Sequence, residues 1–334
     1  AERMVQHTQA MLATWQDGNV ITIDEAMHAL TFTIVMDALF SSSAVGTTAV
    51  VQQAMYDLAQ GFAAQSRSIA LTVLPEWFPW PALIQKRRGA RTLDRLVRQM
   101  IVERRRLGEA DSPPDLLSML LFTRDEETGE TMSDQQLRDE LITLYIAGHE
   151  TTALLLSWTW VLLAQEPGIT AALQAELAAI LNDRSPNFAD LPHLPLTGAI
   201  IKEALRLYPP AWFISREAPA GLSVQGETIA PGSLLFFFPY TIQRDSRWYD
   251  DPQTFNPTRW LDGLEQALPK GAYFPFGLGP RICIGNGFAQ MEAQLILATM
   301  ARQLQLQQLT EARVGPSITL RFAQPVQMKI QKYR

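Results

Sequence analysis

The sequence of 334 residues contains a single cysteine, Cys283, which excludes a disulfide framework and fits a reducing compartment such as the cytoplasm. It has no uncharged apolar run long enough to span a bilayer, and its start shows no signal-peptide pattern. Acidic residues outnumber basic ones, 34 against 28, so nucleic acid is not expected as a partner. No internal repeat, Gly-rich phosphate loop or metal-spaced His/Cys cluster is visible.

The single cysteine lies in a stretch that reads Phe276-Gly277-Leu278-Gly279-Pro280-Arg281-Ile282-Cys283-Ile284-Gly285. Three glycines and a proline predict a shaped loop whose backbone can be approached closely. Apolar residues recur at helical spacing over 288–298, so Cys283 is expected at a helix N-terminus, where the helix dipole favours a thiolate. Arg281 would direct a cation at acidic groups of a cofactor. The alternative is that a lone cysteine is simply a small buried apolar residue.

A long helix is predicted between a capping box at Ser133 and Gln136 and the stop signal Glu166-Pro167-Gly168. About thirty residues would give a rod of roughly 45 Å, and its nearly continuous apolar surface predicts a central position. Its middle reads Ala147-Gly148-His149-Glu150-Thr151-Thr152. Polar groups buried there need partners or a task, and the i, i+4 pair of Ala147 and Thr151 suits a groove over a cofactor. Taken alone, these residues would more often make a packing contact or a kink.

These two motifs resemble those of the cytochrome P450 family. Phe-Gly-x-Gly-x-Arg-x-Cys-x-Gly is similar to its haem-ligand loop, and Ala-Gly-x-Glu-Thr-Thr is similar to its oxygen-binding helix. A third match is Glu203-x-x-Arg206, which the resemblance completes with Arg259, although Thr258 replaces an acidic residue often found before that arginine. The resemblance implies a mainly α fold, a helical bundle around a long central helix with a minor β region, as a single domain over 1–334.

The resemblance also implies a site. Cys283 would ligate the iron of a b-type haem, and Arg281, with Arg216 as a weaker candidate, would contact the haem propionates. Thr151 would hold bound oxygen and its water, and Glu150 would help to relay protons. The remaining residues expected around the cofactor are Phe276, Gly277, Gly285, Ala147 and Gly148.

The implied activity is that of a haem-dependent monooxygenase, which inserts one atom of dioxygen into an apolar organic substrate by hydroxylation or epoxidation. Electrons would come from NAD(P)H through a separate ferredoxin or flavoprotein reductase, because the sequence contains no flavin, nicotinamide or iron–sulfur motif. We expect a cytoplasmic monomer without a transmembrane anchor. Fatty acids, terpenoids and aromatic compounds all remain open as substrates.

Two alternatives belong to other classes of protein. The first is a haem-thiolate protein that uses peroxide or isomerises an oxygenated substrate, against which the Glu150-Thr151 pair weighs. The second is a catalytically inactive fragment that acts as a binding module. This alternative rests on the start of the chain. Met4, Leu12 and Trp15 already mark a helical face there, so the sequence is predicted to lack the family's N-terminal segment.

Other stretches predict the remaining elements. Helices are expected over 22–40 and 47–67, and a basic amphipathic helix near 86–106 is interpreted as a solvated face rather than a partner-binding patch. Residues 74–81, which include Trp77, predict a proline-stiffened loop, either packed on the domain or roofing a substrate channel. Short β-rich runs over 222–238 predict a small sheet, and the tail over 318–330 is expected to return as a hairpin.

Overall fold

The structure is a computed structural model, and it describes residues 1–41, 50–51, 53–54, 57–58, 61, 64–65, 68, 75 and 77–333. Most of the helix predicted over 47–67, and Leu74 and Glu76 of the predicted aromatic loop, lie outside these residues. The chain divides into two compact units, one of residues 1–30 with 151–334 and the other of residues 31–150. Both α2 (Ile23–Phe40) and α5 (Asp134–Gln165) contribute residues to each unit.

The unit of residues 31–150 is helical and has an apolar core. Besides its parts of α2 and α5 it contains α3 (Pro81–Leu107) and α4 (Leu116–Phe122). The apolar face of α3 buries Leu93, Val97 and Ile101 in this core. On its opposite face two arginines form ion pairs within the unit, Arg98 with Asp94 at 3.1 Å and Arg105 with Asp134 at 2.6 Å. These pairs favour the interpretation of the basic helix as a solvated face.

The other unit combines helices with short strands. Its main helices are α1 (Glu2–Thr14), α6 (Pro167–Leu181), α7 (Pro195–Leu207) and α10 (Asn286–Ala301), and the four-residue helices are α8 (Pro239–Ile242) and α9 (Leu264–Ala267). Tight 3₁₀ turns span Phe188–His193, Pro257–Trp260 and Gly279–Arg281. α10 packs against α1 and α7, and nearly all of its last ten residues are buried. The mainly α fold is therefore confirmed.

The strands of this unit pair antiparallel in small sheets. They are β1 (Val20–Thr22), β2 (Ile214–Glu217), β3 (Ser223–Val224), β4 (Glu227–Thr228), β5 (Leu234–Phe237), β6 (Leu304–Gln308), β7 (Val314–Pro316), β8 (Leu320–Phe322) and β9 (Gln327–Lys332). Among the described residues, β9 lies between β1 and β6, β2 pairs with β5, β3 with β4, and β7 with β8. The β-rich region over 222–238 is confirmed.

The prediction of a hairpin over 318–330 is wrong. The hairpin is formed earlier, by β7 and β8, and the chain beyond Pro325 becomes the middle strand of the three-stranded sheet. Ile330 lies opposite Leu306 of β6, and Lys329 lies opposite Val20 of β1. The physical reason is that apolar side chains on β9, such as Met328 and Ile330, are fully buried in this pairing, which a hairpin with the preceding strand would not provide.

The helix α5 begins as the sequence predicts. The Ser133 amide donates to Gln136 Oε1 at 3.1 Å, and the Gln136 amide donates to Ser133 Oγ at 3.3 Å, which completes the capping box. The helix is continuous from Asp134 to Gln165, where Glu166 and Pro167 separate it from α6. In residues 151–165 even Trp158 and Trp160 are almost completely buried.

A buried ion network fixes α7 against the turn at Pro257–Trp260. Arg206 donates to both carboxyl oxygens of Glu203, through Nε at 2.9 Å and Nη2 at 2.8 Å. Arg259 Nε donates to Glu203 Oε1 at 3.1 Å, and Trp260 Nε1 donates to Oε2 at 2.8 Å. The predicted triad of Glu203, Arg206 and Arg259 is confirmed, and Trp260 adds a donor that the sequence motif does not reveal.

Replacing Arg206 with Met should destabilise the fold, because it leaves the buried Glu203 carboxylate without its bidentate partner. We expect the free energy of unfolding, measured by urea denaturation, to fall by about 3–5 kcal/mol. The control is Arg313→Met, which breaks the exposed pair of Arg313 and Glu311 and should leave the urea midpoint nearly unchanged. Equal shifts in the two variants would contradict this account of the network.

Candidate functional site

The loop around Cys283 has the shape that its glycines predict. Gly277 and Gly279 adopt positive φ values of 77° and 72°, which a residue with a Cβ would reach only with strain. A 3₁₀ turn over Gly279–Arg281 follows, and the Cys283 amide donates to the Phe276 carbonyl at 2.9 Å. α10 starts three residues after Cys283, as the sequence predicts.

The thiol of Cys283 is exposed within an apolar surface. Its neighbour Ile284 is 90% exposed, and further exposed apolar side chains are Leu278, Ile282 and Phe288. A Cβ added to Gly285 would lie 3.8 Å from Cys283 Sγ, and one added to Gly287 would meet nothing within 4 Å. The surroundings of the sulfur are therefore open enough for a flat apolar group to approach it closely.

Two exposed guanidinium groups lie in the same unit. Arg281 closes the 3₁₀ turn and is exposed, and the described residues offer it no ion pair or hydrogen bond. Arg216, on β2, is also exposed and donates only to its neighbour's carbonyl, that of Ser215, at 2.8 Å. β2 is linked to the loop by Ile214, whose Cδ1 lies 3.5 Å from the point that a Cβ on Gly277 would occupy. Both cations can therefore bind carboxylates.

These residues fit an iron porphyrin. The porphyrin supplies most of the iron ligands itself, so a single thiolate from the protein is enough. The described residues contain no group of three or more His, Cys, Asp or Glu that could hold a bare metal ion. An exposed thiol, an apolar surface and two exposed guanidiniums without an acidic partner in the described part of the chain match the iron, the macrocycle and the propionates of haem.

The polar centre of α5 falls at the boundary between the units. Ala147, Gly148 and Glu150 belong to the unit of residues 31–150, whereas Thr151 belongs to the same unit as Cys283. A Cβ on Gly148 would lie 3.4 Å from Val35 Cγ2, so glycine permits close packing of α2 on α5.

Neighbouring polar groups on α5 are held within the same unit of residues 31–150. The Thr31 hydroxyl donates to the His149 carbonyl at 2.9 Å. Within the loop the structure brings Phe276, Gly277, Arg281 and Gly285 together around Cys283, and the roles of all the site residues stay predictions.

One buried acid near this region was missed by the sequence analysis. Glu292 lies on α10 and is completely buried, and no cation among the described residues pairs with its carboxyl group. Burial raises the pKa of Glu292 to about 8, against a smaller lowering by the Thr152 hydroxyl. An acidic residue inside an otherwise apolar helix was the signal in the sequence that could have revealed it.

Comparisons with known proteins agree with the geometry of a haem-thiolate site. The family model described as Cytochrome P450 matches residues 1–329. Cyclooctatin synthase of Streptomyces melanosporofaciens is 36% identical over 317 residues, which cover 95% of this chain and 68% of that protein. Pentalenene oxygenase of Streptomyces avermitilis is 35% identical over 323 residues, which cover 96% of this chain and 71% of that protein.

A solved structure agrees as well. The crystal structure of the haem domain of cytochrome P450DA superposes with a TM-score of 0.89 at 26% identity, covering 100% of this chain and 73% of the other. The protein is thus a haem-thiolate oxidoreductase. It belongs to the cytochrome P450 family, is a monooxygenase, and uses haem and dioxygen. None of the described helices is both long and apolar enough to cross a membrane.

Glu292 should make the stability of the protein depend on pH. Its ordinary pKa of 4.5 applies to the unfolded chain, and the folded value is about 8, so folding takes up a proton between these pH values. The free energy of unfolding should therefore fall with rising pH across this window, by about 1 kcal/mol for each pH unit. Glu292→Gln should remove this component, which urea denaturation at pH 5, 6, 7 and 8 would detect.

The control for this experiment is Glu109→Gln, which makes the same chemical change at an exposed position. Its pH dependence of stability should follow that of the unsubstituted protein. If Glu292→Gln also keeps the full pH dependence, the buried acid is not protonated in the folded state.

Proposed function

We propose that this protein reductively activates dioxygen and inserts one oxygen atom into an apolar organic substrate, with the Cys283 thiolate as the protein ligand of the haem iron. The observation that carries the proposal is the exposed thiol of Cys283, placed just before the N-terminus of α10 in an apolar surface, with two exposed guanidiniums in the same unit. When bound, a thiolate-ligated haem supplies the redox chemistry of dioxygen activation. The protein supplies binding, orientation and protons.

The loop around Cys283, together with Arg216 on β2, would hold the haem. The positive end of the α10 dipole stabilises the negative charge of the thiolate. Arg281 and Arg216 bind the propionates through charge-assisted hydrogen bonds. Gly277 and Gly285 would let the macrocycle approach the backbone of the loop, and the Phe276 carbonyl accepts the hydrogen bond of the Cys283 amide.

The polar residues of α5 handle oxygen and protons. Ala147 and Gly148 have no large side chains and would leave room for the cofactor and dioxygen. The Thr151 hydroxyl would hold a water molecule and donate a proton, and the Glu150 carboxyl would supply protons to Thr151 by general acid–base catalysis.

The substrate class is proposed from the relatives and from the apolar side chains of this chain. Two relatives, pentalenene oxygenase and cyclooctat-9-en-7-ol 5-monooxygenase, are named after alicyclic alkenes. The second is 35% identical to this chain over 302 residues. In the same unit as Cys283, the exposed aromatic and aliphatic side chains include Phe236, Phe237 and Ile318. We therefore favour an alicyclic terpenoid among the substrates left open by the sequence.

Electrons would come from NAD(P)H through a ferredoxin or flavoprotein reductase, the electron source general to the cytochrome P450 family. We also propose that the protein is a single-domain monomer in the cytoplasm. The single cysteine supports this compartment, because it must stay reduced to serve as a thiolate.

Replacing Thr151 with Ala tests the oxygen chemistry. Without the hydroxyl, the proposed supply of protons from position 151 would be lost, so electrons should be diverted from product to hydrogen peroxide. With pentalenene, NADPH and a surrogate ferredoxin system, we expect product formed per NADPH to fall at least about tenfold, while NADPH consumption continues.

The matched control is Thr143→Ala, which removes an exposed hydroxyl two turns earlier on α5. This variant should retain the coupling of the unsubstituted protein. Unchanged coupling in Thr151→Ala would remove Thr151 from the mechanism. Turnover that needs only peroxide, and is insensitive to NADPH and reductase, would favour a peroxide-using enzyme instead.

A further inference from the structure

The side chain of Gln243 bridges α7 and the segment that leads into the Cys283 loop. Gln243 directly follows α8 and is completely buried. Its Nε2 donates to the carbonyls of Leu205 and Arg206, at 3.0 and 3.1 Å, and its Oε1 accepts the hydrogen bond of the Phe274 amide at 2.9 Å. Because both amide hydrogens and the carbonyl oxygen are used, one orientation of this side chain satisfies all three backbone groups.

The two carbonyls on α7 are ones that the helix itself leaves without a donor. Their donors in a continued α-helix would be the amides of the next turn, but Pro209 and Pro210 have no N–H. α7 accordingly ends just before them, at Leu207. Gln243 supplies the missing donors, and Arg206 returns a bond from its Nη1 to the Gln243 carbonyl at 2.9 Å. Gln243 is thus joined to the backbone of α7 and to its ion network.

On the other side of the bridge, three consecutive residues before the loop are each attached to a different group. The Ala272 carbonyl accepts a hydrogen bond from the Tyr249 hydroxyl at 3.0 Å. The Tyr273 hydroxyl donates to the Lys202 carbonyl on α7 at 3.2 Å. The amide of the third residue, Phe274, is the one that the bridge holds. The start of the loop is therefore fixed to α7 and to the chain that follows α8.

Backbone hydrogen bonds continue from this segment to Cys283. The Gly277 amide donates to the Phe274 carbonyl at 3.0 Å, and the Cys283 amide donates to the Phe276 carbonyl at 2.9 Å. Gly277 is also the first of the two loop glycines with a positive φ. The position of Phe274, which Gln243 helps to fix, therefore influences where the loop turns and where it presents its thiol.

We propose that Gln243 is a positioning residue for the haem ligand: its side-chain amide transmits the position of α7 to the loop and holds Cys283 in the orientation that ligation needs. A side chain that ligates a metal keeps its orientation only when the groups behind it are themselves fixed. The inference rests on the role of Cys283 proposed above, and it gives Gln243 no contact with substrate or dioxygen.

The variant Gln243→Met keeps the length of the side chain and removes all three of its hydrogen bonds. In the reduced, haem-loaded full chain under carbon monoxide, the thiolate-type band should fall about tenfold relative to the band of a neutral ligand, a factor that one neutral hydrogen bond can carry. Hydrogen–deuterium exchange of peptides covering 272–285 should increase in the same variant, because the Phe274 amide loses its acceptor.

Two control variants separate positioning from a general loss of stability. Thr197→Val removes a buried bond near the other end of α7, from the Thr197 hydroxyl to Glu176 Oε2 at 2.7 Å. It should lower the melting temperature without changing the band ratio or the exchange over 272–285. Gln266→Met makes the same chemical change as Gln243→Met at an exposed glutamine and should alter none of these quantities.

A milder variant keeps the test decisive if Gln243→Met does not fold. Gln243→Asn retains the amide but is shorter by one methylene, so it cannot reach α7 and Phe274 together. The band ratio and the exchange over 272–285 should change in the same direction as in Gln243→Met.

An unchanged band ratio in the folded Gln243 variant would overturn the proposal. An equal fall in Thr197→Val would overturn it as well, since ligation would then follow stability alone. If the unsubstituted protein shows no thiolate-type band, the proposed role of Cys283 fails instead. The exchange over 272–285 still decides, independently of the spectrum, whether Gln243 holds the start of the loop.

Discussion

The structure around the site depends on keeping one thiol exposed while the protein behind it is densely packed. Cys283 and its neighbours on the loop are exposed, yet α10, which starts three residues later, is almost entirely buried over its second half. The change from the exposed loop to the buried helix takes place within a few residues. It requires the two positive φ values at Gly277 and Gly279 and the bond from the Cys283 amide to the Phe276 carbonyl. The same change places the sulfur three residues before the N-terminus of a well-anchored helix.

Two glutamates of this unit are completely buried, and the unfavourable energy of burying a charged carboxyl group is avoided differently in each. Glu203 is surrounded by donors from Arg206, Arg259 and Trp260, so its charge is compensated. Glu292 has no such partner among the described residues, and burial raises its pKa to about 8, so it keeps its proton at neutral pH. The first arrangement stabilises the region behind the loop, whereas the second leaves a neutral acid on the helix that follows Cys283.

What the sequence predicts well is local or carried by a fixed motif. The cap of α5 at Ser133 and the shape of the loop around Cys283 follow from the residues themselves, whereas the ion network of Glu203 is predicted by the resemblance to the family. Contacts between distant parts of the chain could not be predicted in this way. The pairing of β9 with β1 joins strands some three hundred residues apart, and the bond from Trp212 to Ser317 spans 105 residues. An alternating apolar pattern can pair with several different strands, so the sequence alone predicts the wrong partner for the tail.

The most direct test of the haem-thiolate assignment is the carbon monoxide difference spectrum of the reduced, haem-loaded protein, compared with that of Cys283→Ala. The account predicts a red-shifted band typical of thiolate ligation, present in the unsubstituted protein and lost in the variant. The same band in Cys283→Ala, or a band typical of a neutral ligand in both proteins, would contradict the assignment of Cys283 as the iron ligand.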